Sequence, residues 1–512
     1  MIILFRSGAI FNNLKRRRYM CGIGIIYGNY AESHLNYISN NLTHRGPDDA
    51  GYFYAPKTAF GHRRLSIIDT TGGKQPIISE DGKKCIICNG EIYNYKELRK
   101  ELKQDHIFKT RSDTEVALHL YEEYGAGMLE KLNGMFIIAI HDNGELFVAR
   151  DRLGIKPLYY GYYDGSMVFA SEIKALKGCI EITEFPPGHY YTAKEGFVQY
   201  YSLSANIKPV EGCEDQIVKM IREKLTTAVR RRMISDVPVG VFLSGGLDSS
   251  IIAALMKEQS KNVISFAVGT KDSSDILAAR VAAKHIGTEH HEYIYTEEEM
   301  CSKMDEIIYY LESYDAPLVR SAIPNYFVAR LAAEHVKVVL TGEGADELFC
   351  GYKYLEKFTD SEQLDSELLR LTNSLHNINL QRTDRMTMAH SLEGRVPFLD
   401  HEFAEFALGI PAEMKIPVEG REAKHLLRKA FEGMLPEEIL YRKKVKFSEG
   451  AGFEKLFGKV TERSISNIEY SKEKNNTAVN IRGKDELYFY RVYNSLFSDI
   501  DSRNTAGVCL DF

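Results

Sequence analysis

The sequence predicts two domains of different class: an α+β sandwich over residues 21–205, then an α/β domain built on a parallel sheet over residues 206–512. Three observations carry this. Short runs such as CGIGIIYG, KKCIICNGEIYNY, MFIIAIHD, ELFVARD and SMVFASE, parted by turn residues, make the first part strand-rich. The polar stretch SLSANIKPVEGCE at 202–214 reads as a linker, because the apolar periodicity changes after it. Beyond it helices alternate with apolar strands, the pattern of a doubly wound sheet that holds ligands at the carboxyl ends of its strands.

Taken in chain order, residues 1–20 (MIILFRSGAIFNNLKRRRYM) contain no acid and carry their basic run, Lys15 to Arg18, after the apolar stretch. That order is the reverse of a secretory signal. An acid-free, Arg-rich leader can resemble a mitochondrial presequence, but a bland extension or a true start at Met20 is the simpler expectation. DTEVALHLYEEYG reads as an amphipathic helix capped by Ser112 or Asp113, with Val116, Leu120 and Tyr124 at helical spacing. Downstream, QIVKMIREKLTTAVRRRMI, SSIIAALMKEQ and ILAARVAAKHIG read as helices, and VPVGVFL, VISFAVG and VKVVLTG as buried strands. The chain beyond residue 360 reads as mostly helical, and no internal repeat suggests a solenoid or propeller.

Composition narrows the function. Lys+Arg 65 against Asp+Glu 71 gives a formal net charge of −6, without the basic footprint of a nucleic-acid binder. No apolar run reaches the ~18 to 20 residues that span a bilayer. Eight cysteines over 512 residues are too sparse for a disulfide framework, so free thiols and a cytoplasmic location are expected. Cys85 and Cys88 form a CxxC with no second pair, on a strand where residues three apart face opposite ways, so zinc is not expected there. His290 and His291 lack partners at ligand spacing, and Arg230 to Arg232 read as a solvated helix face.

Ser244 to Ser250 (SGGLDSS) join a buried strand to a helix, and small residues at a helix start let backbone amides reach an anion. The loop lacks the GKS or GKT ending of a Walker A motif. Farther on stand TGEGADELFCGY, SFAVG with Asp275 beyond it, GTEHHE, HSLEGRVPFLD and RKKVKFSEG. Together these blocks resemble the pyrophosphatase-type ATP domain of the asparagine synthetase family. The resemblance implies cleavage of ATP between its α and β phosphates, giving an acyl-adenylate and pyrophosphate. It implies ATP contacts from Leu243, Ser244, Gly245, Gly246, Asp248, Ser249, Val268, Thr341 and Gly342, with Mg2+ held by Asp248 and Asp346. The same resemblance implies that Lys444 neutralises the departing pyrophosphate and that Glu343 takes a proton from incoming ammonia.

Cys21 stands before two glycine-spaced residues of the first strand, and a thiol there alone would read as structural. HRGPD (44–48), RLSIID (64–69), NGEIYN (89–94) and SDTE (112–115) change that reading. With Cys21 they resemble a class II glutamine amidotransferase domain, of N-terminal nucleophile-hydrolase fold. The resemblance implies a cysteine that attacks the glutamine amide, activated by its own α-amine; an oxyanion site from the Asn89 side chain and the Gly90 N–H; Arg45 on the substrate carboxylate; and Glu91 and Asp113 on its amino group. The chain as written departs from this pattern, because Cys21 is acylated by residues 1–20 and has no free amine. Translation from Met20 with Met removal, or cleavage of the extension, would free it; otherwise only external ammonia is used.

The combined resemblance implies glutamine- and ATP-dependent conversion of aspartate to asparagine through β-aspartyl-AMP. Glutamine, aspartate and ATP are the expected small-molecule partners, with no nucleic acid, no membrane, and a homodimer as one compatible assembly. A related ligase acting on another carboxylate, or a silent nitrogen sensor, are the alternatives. The segment TDRMTMAHSLEGR, with Asp384, Arg385 and Glu393, is a candidate lining for the aspartate pocket, and a packed helix explains it as well.

Overall fold

The computed structural model describes residues 21–46, 48–416 and 422–452, together with 457, 461–462, 464–474, 477, 479–501, 505 and 507. The expectations for residues 1–20 therefore lie outside the described residues. The strands are β1 (Gly22–Tyr27), β2 (Asp49–Ala55), β3 (Thr58–Arg64), β4 (Ile77–Ile78), β5 (Lys84–Ile92), β6 (Gly134–Asp142), β7 (Glu145–Arg150), β8 (Tyr159–Tyr163), β9 (Ser166–Ala170), β10 (Ile180–Glu184), β11 (His189–Thr192) and β12 (Gly196–Gln199), followed by β13 (Val239–Phe242), β14 (Ile264–Gly269), β15 (Glu289–Ile294), β16 (Val338–Leu340) and β17 (Glu393–Arg395).

The first twelve strands form two antiparallel sheets, ordered β10-β8-β9-β1-β3-β2 and β12-β11-β7-β6-β5-β4. Their inner faces meet in a core that includes Ile23, Phe60, Ile87 and Phe169. The helix Glu32–Asn41 buries Leu35 and Ile38 on the outside of the first sheet. The helix Asp113–Tyr124 covers the second with Val116 and Leu120, and its cap is Ser112, whose Oγ accepts the Thr114 amide. The result is a helix–sheet–sheet–helix sandwich. Cys85 and Cys88 lie in the cores on opposite sides of β5, as the period of two requires.

The remaining strands form a parallel sheet in the order β15-β14-β13-β16-β17. Successive strands run outward from β13 on one side and then from β16 on the other, so the switch point lies between β13 and β16. The helices Leu247–Gln259, Ser274–Ile286 and Glu214–Arg232 stand where the alternation predicts. Two strands escaped the sequence reading. β15 is a polar edge whose side chains are only half-buried, and β17 is three residues long inside a helical region. The interval 207–213 carries no helix or strand, but the domains do not part there as beads on a string. One core cluster takes Tyr93, Met135 and Leu153 from the first domain with Ile217, Leu243 and Phe398 from the second.

Candidate active sites

Cys21 directly precedes β1. Its Sγ accepts the Leu65 amide at 3.3 Å and lies 3.7 Å from the Leu65 carbonyl. Burial pushes the thiol up to about 12, so as an internal link of the chain it is protonated at neutral pH. Among the described residues no histidine bonds to it. The buried His62 ring faces the Cys88 carbonyl at 3.1 Å, and burial pushes its pKa down to about 4.

Asn89, Gly90 and Glu91 lie on β5, with Asn89 and Glu91 on the face of Ile87 and Gly90 on the other. The Asn89 amide reaches Ser171 Oγ at 3.4 Å, and that oxygen accepts the Ile23 amide two residues after the thiol. Gly90 has φ +140, and a Cβ there would sit 1.9 Å from the Met135 carbonyl oxygen, so no other residue fits the strand at this point. Glu91 and Asp113 are both buried, and burial raises both carboxyl pKa values. Glu91 Oε2 has no hydrogen-bond partner among the described residues. Two desolvated acids, with the Arg395 guanidinium 3.7 Å from Glu91 Oε2, form a pocket that would attract a substrate ammonium.

Arg45 is a correction. The sequence reading gives it the glutamine carboxylate, but its guanidinium is fully buried and already engaged. Nε donates to the Cys21 carbonyl at 3.2 Å, Nη1 to Glu172 at 2.6 Å and to Asp384 at 2.7 Å, and Nη2 to Asp384 at 3.1 Å. Arg64, inside the quoted RLSIID block, is the better-placed cation. It is close enough to Cys21 to favour the thiolate electrostatically. Its Nη2 donates to the Ile68 and Asp69 carbonyls, which leaves the other face of the fork for a carboxylate.

The second site lies at the switch point of the parallel sheet. Gly245 has φ +69 and packs against the helix Ser274–Ile286, where a Cβ would meet Ala278 backbone at 2.3 Å. Gly246 caps the helix Leu247–Gln259, and Ser244 Oγ and Ser249 Oγ close the turn at 3.2 Å. Leu243 and Val268 are buried beneath the loop, and the Leu243 amide donates to the Phe266 carbonyl. Thr341 and Gly342 follow β16; a Cβ on Gly342 would stand 2.9 Å from Asp248 Cβ. Asp248 and Asp346 share one cation, the ammonium of Lys424, at 2.6 and 2.5 Å, and Lys444 adds a second contact to Asp346 at 2.6 Å. Asp248 Oδ1 is buried without a hydrogen-bond partner among the described residues. Two converging carboxylates with a spare oxygen are the donor set that Mg2+ takes.

Lys424 was not anticipated; its only signal is position in an ordinary basic stretch. The same holds for Arg382, whose Nη2 donates to Glu343 Oε1. Glu347, in the quoted TGEGADEL stretch, is pushed up to about 7 by burial and by neighbouring Asp346, and accepts the Tyr352 hydroxyl at 2.5 Å. Asp275 meets Arg442 at 2.8 Å, tying the RKKVKFSEG segment over the sheet.

Of the two readings of Asp384, Arg385 and Glu393, aspartate-pocket lining or packed segment, their contacts favour the second. They lie at the seam between domains. Arg385 reaches the Ser171 carbonyl and Glu312, Asp384 holds Arg45 and Lys156, and Glu393 pairs with Arg395, which stands 3.7 Å from Glu91. All three are buried and held there by ion pairs.

Thiol-bearing sandwich and ATP-type parallel sheet together define a two-domain amide-transferring enzyme class. A glutamine amidotransferase domain model matches residues 20–213, and an asparagine synthase model matches residues 220–371 and 356–488. The chain is 38% identical to a probable glutamine-hydrolysing asparagine synthetase of Schizosaccharomyces pombe over 517 residues, covering 93% of this chain and 91% of that protein. It is 36% identical to a probable counterpart in Dictyostelium discoideum, covering 92% of each chain, and 36% identical to asparagine synthetase 1 of Arabidopsis thaliana, covering 95% and 88%. The chain belongs to the glutamine-hydrolysing asparagine synthetase family.

Proposed function

We propose that this enzyme converts aspartate to asparagine with ammonia released from glutamine and energy from ATP. One observation carries the reading: the helix Asn379–Met388 touches both sites, through Asp384 to Arg45, which holds the Cys21 carbonyl, and through Arg382 to Glu343. In the first site the Cys21 thiolate attacks the glutamine amide carbon. The Asn89 side chain and Gly90 N–H receive the oxyanion, ammonia leaves, and water releases glutamate from the thioester. Arg64 binds the substrate carboxylate, while Glu91 and Asp113 accept its ammonium.

The thiol needs a base; among the described residues no histidine bonds to it, and a free α-amine on the same residue would stand within reach. The glutaminase therefore works in chains that begin at Cys21. The family match starting at Met20 supports this reading.

In the second site the aspartate β-carboxylate attacks the α-phosphorus of ATP, and pyrophosphate leaves. Asp248 and Asp346 would hold Mg2+, which neutralises phosphate charge when bound. Lys424 and Lys444 balance the charge that develops on the departing pyrophosphate. Glu343, with Glu347 beside it, takes the proton as ammonia attacks the acyl-adenylate and AMP departs. Cys21, Cys85, Cys88, Cys179, Cys213, Cys301 and Cys350 are all free thiols, which suits a cytoplasmic setting. Among the described residues no helix is long and apolar enough to cross a membrane.

The decisive assay combines protein beginning at Cys21 with aspartate, glutamine and ATP, and quantifies asparagine, glutamate and pyrophosphate. Pyrophosphate release without asparagine would assign the chain to a ligase for another carboxylate.

A further inference from the structure

Outside both sites, one cluster of metal-ligating side chains remains on the first domain. His119 and Glu122 lie three residues apart on the helix Asp113–Tyr124, so they share one face. His106 reaches over them from the irregular segment 102–112. Their ligand atoms all lie within 4.8 Å of one another. His119 Nδ1 is 2.8 Å and His106 Nδ1 3.4 Å from the same oxygen, Glu122 Oε2.

Glu123 Oε1 accepts the Lys103 and Gln104 amides at 2.8 and 2.9 Å, and it faces His106 Nε2 at 3.1 Å. Glu122 Oε2 is thus approached by one ring nitrogen from each histidine. His119 is 3% exposed, and its Nε2 has no hydrogen-bond partner among the described residues. Phe108 stands against the His119 ring at 4.6 Å, with the Arg99 guanidinium over its other face at 3.8 Å, which keeps water from one side.

We propose that His106, His119 and Glu122 form a site for a divalent transition metal of the Zn2+ class, with an open fourth position on the side of the partly exposed Glu122. Two imidazoles and one carboxylate are a donor set that Zn2+ takes, and tetrahedral bonds of ~2.0 to 2.1 Å place ligand atoms about 3.3 Å apart. The His106–Glu123 bond is then the outer carboxylate that fixes ring orientation at metal-bound histidines. The metal pins segment 102–112 to the helix whose first residue is Asp113. His119 lies six residues along, about 9 Å from that end, so the ion braces the glutaminase pocket without touching it.

The test uses the full chain, freed of metal with a chelator and then titrated with Zn2+ alone or Co2+ alone. Wild type is expected to bind one equivalent that His106→Ala lacks and that Glu122→Gln binds at least tenfold more weakly. The Co2+ spectrum of that equivalent should carry no thiolate charge-transfer band, which excludes the cysteines. Zn2+ should raise the unfolding temperature of wild type and not of His106→Ala. Equal binding by wild type and His106→Ala, or no binding by wild type, overturns the proposal; neither result bears on the amidation reading.

Discussion

Arg45 and Asp384 meet through two hydrogen bonds, at 2.7 and 3.1 Å, across the boundary between domains. Arg45 also holds the carbonyl of Cys21. Two residues before Asp384, on the same helix, Arg382 holds Glu343 of the synthetase site. Positions two apart on a helix point about 200° from each other, and through these two this helix touches both sites.

Cutting that link should uncouple the two reactions. Asp384→Asn is expected to raise the glutamate formed per asparagine while ammonia-dependent synthesis persists. Loss of a buried charge partner should also cost roughly 3 to 5 kcal/mol of stability. Measurement of both products in one assay checks this, and an unchanged ratio refutes the coupling role.

Arg64 and Arg45 should separate by phenotype. Arg64→Ala is expected to raise the glutamine KM about tenfold or more and leave ammonia use near wild type. Arg45→Ala, which removes one buried cation from Glu172 and Asp384, should lower the melting temperature. If Arg45→Ala alone raised KM in a stably folded protein, the reassignment would be wrong.

Cys21→Ala should abolish glutaminase activity while ammonia still supports synthesis. Gly90→Ala should do the same and also weaken the fold, because the new Cβ collides with the Met135 carbonyl. Full glutaminase activity in either variant contradicts the first site.

Asp248→Ala and Lys424→Met should each lower synthesis with glutamine or ammonia at least about a hundredfold, by loss of charge stabilisation. Glutamine hydrolysis should survive in both. Isotope-labelled ATP read for pyrophosphate reports the step directly; normal pyrophosphate release in Lys424→Met would remove that lysine from the mechanism.

Asp400 supplies the pH test. Burial alone would raise its pKa, but Arg232 at 2.7 Å outweighs it and holds the carboxyl at about 2. A depressed folded value stabilises the fold above the ordinary carboxylate range and loses that contribution as pH falls toward 2. The window runs from about 4 to 2, and the contribution is on the order of 2 kcal/mol. Wild type should exceed Asp400→Asn in urea midpoint at pH 6, with the gap narrowing below pH 4; a constant gap defeats this account.

Much of the chemistry was legible because it is carried by local motifs. SGGLDSS needs only a strand, a turn and a helix start to act, and those are encoded within twenty residues. Cys21, Asn89, Gly90 and Asp248 stand where short blocks place them. Arg45 and Arg64 were not separable this way, since both are arginines in blocks near the thiol and only packing tells which guanidinium is already spent. Lys424 lies 176 residues from Asp248, and nothing in its own neighbourhood reports that approach.

By itself the sequence determined the two fold classes and the order of the helices and strands around the glycine-rich loop. These follow from periodicity and turn chemistry, which act over a few residues, whereas the role proposed for Cys21 rests on the resemblance carried by the blocks around it. The tertiary structure decided what crosses between domains: the Arg45–Asp384 pair, the Arg395 contact beneath Glu91, and the common helix that touches both sites. Such contacts are set by long-range packing of buried charges, whose partners lie hundreds of residues away and leave no periodic trace.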